Sequence, residues 1–276
     1  MLNEIQTTVL TSLAQGEKWY ATLDASQIPA LQQAEWKNQQ AAWRNLLEGS
    51  AEGTQPDLTA WLLPLTQSSL EFTLNLSIDY PHAVTWLNSQ WSIDEIAGYW
   101  CILSDVKLPN GHTGLCRFYD PCVLAQLERA LSKPQWQRLL APVTQWIYLD
   151  PFGQVKQQQP QPLLIKRASS LHLKQKQLDL LNKENRPHWL IAQLMANEHV
   201  PLERNNFGLF ARVHDSVQLL EQYGLNRAEQ QYTFCALTLD WDVSCFHSPR
   251  LNANLALVAK RKIDLLDAIE QESAPQ

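Results

Sequence analysis

The chain has 276 residues, a formal charge of −6 and an ordinary apolar content, which suits one large domain or two modest ones. The acidic balance gives no support to nucleic-acid binding, and no apolar run approaches the length of a membrane span, so neither a nucleic acid nor a membrane is expected as a partner. Five scattered cysteines (Cys101, Cys116, Cys122, Cys235, Cys245) suggest no disulfide framework, and the N-terminus lacks the basic and apolar regions of a signal peptide, so a cytoplasmic location is expected.

Leu2 to Leu13 has the spacing of a short amphipathic helix. Trp19 to Leu23 reads as a buried strand closed by Asp24 and Ser26. Pro29 to Leu47 is mostly helix-compatible, with the region of Trp36 open to a short strand. Ala60 to Leu65, ending at Pro64, and His82 to Leu87 read as further strands. Ser92-Ile93-Asp94-Glu95 is a capping box, opening a helix to about Leu103.

The best-specified stretch is Leu108 to Leu131. Pro109-Asn110-Gly111 is turn chemistry, because Asn and Gly tolerate the positive φ of a tight reversal. Thr113 to Tyr119 alternates, with Cys116 and Phe118 on one side and Leu115, Arg117 and Tyr119 on the other. Asp120 occupies a helix N-cap and Pro121 the first helical position, and Leu124, Leu127 and Leu131 follow at helical spacing. If Arg117 points inward it needs a carboxylate; Asp120 is engaged at the cap, which leaves Asp24 or Asp105. The expected role is an ion pair bracing this corner, with Arg117, Tyr119 and Asp120 as candidates for a recognition surface.

These residues carry a resemblance. Cys116 to Leu124, CRFYDPCVL, resembles the FRFYDPRVL signature of a bacterial family long labelled a domain of unknown function, whose members are adaptors, or effector chaperones, of the type VI secretion system. Trp19 to Ala25 is similar to the family's YALLDGA strand, Trp43 to Gly49 to its W-x-x-L-F-x-G stretch, and Val106 to Gly111 to its V-x-L-P-D-G entry. The likeness covers roughly 18–150 and continues loosely over Ala211 to Leu225; Cys116 and Cys122 depart from it, standing where Phe and Arg are usual. It implies a non-enzymatic adaptor that binds a toxic effector and loads it onto the VgrG spike.

Further along, Lys133 to Leu140 reads as a helix, and Gln145 to Leu149 and Gln154 to Lys156 flank a hairpin turn at Asp150-Pro151-Phe152-Gly153. Gln157 to Pro162 is the clearest linker. Beyond it the patterns are helical: Leu171 to Leu181; Phe210, Val213, Val217 and Leu220 before a stop at Gly224; a start at Asn226-Arg227; and a last stripe of Leu255, Val258, Ile263, Leu266 and Ile269. Gln271 to Gln276 is expected to fray. The expected architecture is an α/β lobe with a mixed sheet and flanking helices over 1–156, a Gln/Pro-rich linker over 157–168, and an all-helical lobe over 169–276. Charge is uneven: 1–150 holds 8 Lys+Arg against 15 Asp+Glu, 151–190 holds 7 against 2, and 191–276 holds 7 against 11. The basic island, including Lys166 and Arg167, reads as a solvated hinge or helix face, with a surface for an acidic partner as the alternative.

No nucleophile elbow, phosphate loop, dinucleotide fingerprint or zinc-protease motif is present, so no cofactor or metal is expected. A thiol site at Cys116 or Cys122 beside Asp120 is the only arrangement that would serve a hydrolase or transferase. Asp240-Trp241-Asp242 reads as a cap or turn. Eleven tryptophans are many, and some are expected at a partner surface. Candidate anchors in the helical lobe are Phe207, Phe210, Tyr223, Trp241 and Phe246. A toxin-neutralising immunity protein is the further alternative to an adaptor.

Overall fold

The computed structural model describes residues 2–29, 42–160, 169–201 and 206–273. It divides into two compact units, Met1–Glu184 and Asn185–Gln276. The Trp36 region, Lys166, Arg167 and the end of the expected linker lie outside the described residues.

The first unit runs α1 (Leu2–Ala14), β1 (Trp19–Asp24), β2 (Arg44–Asn45), β3 (Ala60–Pro64), α2 (Gln67–Asp79), β4 (Val84–Asn88), α3 (Ile93–Ser104), β5 (Asp105–Lys107), β6 (Thr113–Leu115), α4 (Pro121–Ala130), α5 (Lys133–Leu139), β7 (Gln145–Leu149), β8 (Val155–Gln158), β9 (Leu171–His172) and α6 (Gln175–Glu184). Six strands form an antiparallel sheet in the order β2-β3-β1-β4-β7-β8. A small second sheet, β6-β5-β9, holds the parallel pairing of β5 with β9.

Every residue of β1 and β4 is buried, because helices cover both faces of the large sheet. On one face Tyr20 lies opposite Leu87, and Leu87 opposite Trp146. These join Trp100 of α3 and Leu124 of α4 in one apolar core. Trp100 stacks on Trp146 at 4.9 Å and meets Phe118 at 5.0 Å. On the other face Trp86 lies opposite Ala21 and Ile147, and its indole N–H donates to Thr73 Oγ1 of α2 at 3.0 Å. The capping box at Ser92 forms as expected: Glu95 N–H donates to Ser92 Oγ, and Ser92 N–H to Glu95 Oε2.

The α/β lobe and the helical lobe both stand, but their division falls at Glu184/Asn185 rather than at 157–168. Gln157 and Gln158 belong to β8, paired with β7. Beyond the expected linker, Leu171 is fully buried in the first unit's core, and β9 extends the small sheet where helix was expected. α6 is held on α4 by Gln177 donating to Ala130 O at 2.9 Å and by an Arg129–Glu184 ion pair at 2.6 Å. Tertiary contacts therefore claim residues that local composition assigns to a linker and a second lobe. A fragment ending at Glu184 is expected to melt cooperatively, whereas one ending at Pro160 should melt several degrees lower and be cleaved faster by protease. Equal melting of the two fragments would place the boundary back at the linker.

The second unit comprises α7 (Arg186–Ala196), α8 (Phe207–Gln222), α9 (Ala228–Thr238), α10 (Pro249–Ala259) and α11 (Leu265–Ser273). The stripe Phe210, Val213, Val217 and Leu220 is buried. α8 stops at Gly224, whose φ of +72° places it in the left-handed region, with Leu225 N–H donating back to Leu220 O at 3.0 Å. The last stripe is split between α10 and α11, and Leu266 is 51% exposed, because the chain turns at Lys260–Asp264 and restarts the helical phase. Residues 271–273 complete α11; 274–276 lie outside the described residues.

Candidate functional site

The corner begins with the turn after β5, where Gly111 takes a φ of +85° and Asn110 Oδ1 accepts from His112 N–H at 3.1 Å. The strand then ends at Leu115, four residues earlier than the alternation suggests. Cys116 N–H still reaches Ser104 O at 2.7 Å, but Arg117 to Asp120 closes a turn, with Asp120 N–H donating to Arg117 O at 3.0 Å. Phe118 and Tyr119 consequently both enter the core, their rings 5.7 Å apart, instead of pointing to opposite sides. Asp120 caps α4 as expected, accepting from Cys122 N–H at 2.9 Å and Val123 N–H at 3.4 Å.

Arg117, in the turn before α4, finds Asp24 at the end of β1, with Nη2 2.5 Å from Asp24 Oδ2, 3.0 Å from Ser26 Oγ and 3.5 Å from Asp120 Oδ2. Asp24 is 1% exposed and its other oxygen caps a short turn, accepting from Ser26 N–H and Oγ. Burial works against the charge on Arg117, and Asp24 and then Asp120 more than offset it, holding the guanidinium charged. Burial pushes Asp120 up to about 6, with Arg117 pulling it back and Asp24 adding to the rise. Burial also pushes the Tyr119 phenol far up, so it stays protonated. The bracing role of Arg117 thus holds, with Asp24 rather than Asp105 as its partner.

Sequence reading missed a second pair. Cys122 Sγ lies 3.1 Å from His82 Nδ1, and both side chains are buried. His82 precedes β4 and no local signal links it to Cys122; only the sheet brings them together. Burial lowers His82 to about 4 and raises Cys122 well above its ordinary value. Both are therefore neutral near pH 7. Burial likewise pushes Cys116 up to about 12. A nucleophilic cysteine works as the thiolate, and this corner holds both of its cysteines as thiols.

The signs of these shifts give a pH prediction. His82 titrates at about 4 in the folded chain against 6.5 ordinarily, so its contribution is fully present above pH 6.5 and is lost as pH falls towards 4. Asp120, raised to about 6, contributes in the opposite sense, stabilising at low pH and losing that contribution as pH rises through 6. His82→Gln removes the first effect and leaves the second. Between pH 7 and 4.5 wild type should lose about 2–3 kcal/mol that the variant retains. Urea denaturation at the two pH values measures this, and parallel losses would refute the assignment.

The remaining candidate anchors divide by burial. Phe210 and Phe246 are core residues, 4% exposed each, and Tyr119 and Asp120 are likewise buried, so none of the four forms an open surface. Phe210 packs against His188 at 4.5 Å, and Phe246 against Phe234 at 6.0 Å. Phe207, Tyr223 and Trp241 are half-buried; Tyr223 donates to Asn252 Oδ1 at 2.8 Å, and Arg212 donates to Trp241 O. Asp242 caps a turn through Ser244, which lowers its carboxyl. Of the tryptophans, Trp19, Trp86, Trp100 and Trp146 are fully buried, whereas Trp189 is 40% exposed with the Arg186 guanidinium 5.4 Å from its ring centre. That Arg and Trp stand three apart at the start of α7, a spacing that sequence reading overlooked.

Among the described residues no cluster of three or more His, Cys, Asp or Glu could hold a metal ion, and no helix is long and apolar enough to cross a membrane. Residues 19–138, from the start of β1 to the end of α5, match the family model described as Domain of unknown function (DUF4123). The match contains Asp24, Arg117 and Asp120. No curated protein and no solved structure matches the chain.

Proposed function

We propose that this chain is a non-enzymatic adaptor of a type VI secretion system, acting in the cytoplasm to bind a toxic effector and load it onto the VgrG spike. The observation that carries the reading is the family match over residues 19–138, which spans the corner whose residues Cys116 to Leu124 resemble the adaptor signature. The corner's chemistry supports the same reading. Its carboxylates are engaged in a cap and an ion pair, its thiols are protonated, and its aromatic rings are packed inward. Such an arrangement makes a rigid frame that presents neighbouring surface to a partner.

The test is a pull-down of the tagged full chain from its own organism at physiological salt, with bound proteins identified by mass spectrometry. Recovery of a spike protein together with a large toxin is expected. Recovery of a toxin whose activity the chain blocks stoichiometrically would make it an immunity protein. Recovery of nothing specific would overturn the adaptor reading. Cys116→Ala should leave effector loading intact, because the adaptor reading gives that thiol no chemistry to perform.

A further inference from the structure

We infer that the second unit carries a binding groove for an acidic peptide segment of a protein partner, an inference that rests on the adaptor reading. An open cavity of about 800 Å³ lies between the end of α8, the start of α9 and the α10–α11 turn. Arg227, Arg261 and Lys262 line it, and all three are exposed and form no ion pair among the described residues. This places three cations with no ion pair among the described residues at one groove, beside Asp264 and Asp267, within a region whose net charge is negative. Val258, Ile263 and Leu265 also border it, but Val258 and Leu265 are buried in the second unit's core and only Ile263 is half-buried, so the exposed lining is mainly polar. Asp264 and Asp267 stand on the wall, with Asp267 Oδ2 accepting from Asp264 N–H at the start of α11.

The mixture selects the partner. A nucleic acid would bring an unbroken row of phosphates against two carboxylates, whereas a peptide can set acidic side chains on the cations and place neutral residues beside Asp264 and Asp267.

The backbone at Arg261 makes the groove testable by a single substitution. α10 closes as α8 does: Arg261 N–H donates to Val258 O at 2.8 Å, and Lys262 N–H to Leu257 O at 3.0 Å. The residue between these bonds must be left-handed, and α8 uses Gly224 there. α10 instead uses Arg261, at φ +57°, a conformation that strains any residue with a Cβ. α7 closes in the same way on Glu198 at φ +59°, so the position tolerates a side chain, and glycine would relieve the strain. The arginine keeps a guanidinium at the mouth of the groove.

Arg261→Gly therefore makes an unusual prediction: the melting temperature rises by about 2 °C while binding weakens. The probe is a short fluorescein-labelled peptide of Asp, Glu, Leu and Ser, titrated into the full chain and followed by anisotropy. Saturable, salt-sensitive binding is expected, weakened about tenfold by Arg261→Gly and similarly by Lys262→Ala. A matched peptide with Lys in place of the acids, and oligothymidine, should not compete. Absence of saturable binding, variants that bind like wild type, or oligothymidine competing as well as the acidic peptide would each overturn the inference.

The pull-down separates it from the adaptor reading. If wild type recovers spike and toxin and both variants retain them equally, the groove is wrong and the adaptor stands. If wild type recovers neither while the peptide binds and the variants do not, the groove stands as a peptide site and the adaptor reading fails.

Discussion

Replacing Trp100 with alanine is expected to destabilise the first unit by about 3–5 kcal/mol, the range for removing a fully buried aromatic. Its ring is 0% exposed and is held between Trp146 at 4.9 Å and Phe118 at 5.0 Å, where the helix α3, the sheet and the corner meet. Its indole N–H donates to Leu139 O at 3.0 Å, so the change also strands a carbonyl at the end of α5. Trp100→Phe separates the two effects, because it keeps most of the apolar bulk and loses the donor. It should cost roughly half as much or less. Urea titration of the full chain, followed by near-ultraviolet circular dichroism, reads both values. A loss below about 1 kcal/mol for Trp100→Ala would mean that the core can collapse around the gap.

Asp24→Ala is the second large effect, expected at about 2–4 kcal/mol. The carboxylate is almost fully buried, and its removal deprives Arg117 of its shortest partner and the following turn of its cap. The guanidinium side chain is 36% exposed, so water and Asp120 at 3.5 Å recover part of the loss, which keeps the value below that of a wholly buried pair. A double-mutant cycle with Arg117→Met identifies the source. If the uncompensated cation dominates, the double variant should be more stable than Asp24→Ala alone. If the double variant is less stable, the loss comes from the turn and from packing. Because Asp24 is shielded from solvent, raising the salt concentration should change the coupling little.

What was legible in the sequence lies within about one turn of chain. The capping box at Ser92 and Glu95, the Asp120-Pro121 helix start, the reversals at Gly111 and Gly153, and the buried stripe of α8 all formed where residue type and spacing place them. Each depends on bonds or side-chain faces set by neighbours a few residues away, so residue order is sufficient to specify it. The early end of β6 was not legible, because alternation continues to Tyr119 while the turn at Arg117 to Asp120 redirects the chain into the core. Nor was the division of surface from core among Tyr119, Phe210, Phe246 and Trp189, since an aromatic residue has the same local pattern in either place.

Length, charge, the caps and the corner's signature were determined by the sequence itself. Arg117 with Asp24, His82 with Cys122 and the capture of Leu171 and α6 by the first unit were decided only in the tertiary structure. In each case the partners are distant in sequence, and burial leaves a charge, a polar atom or an apolar side chain no favourable alternative once the sheet has brought them together.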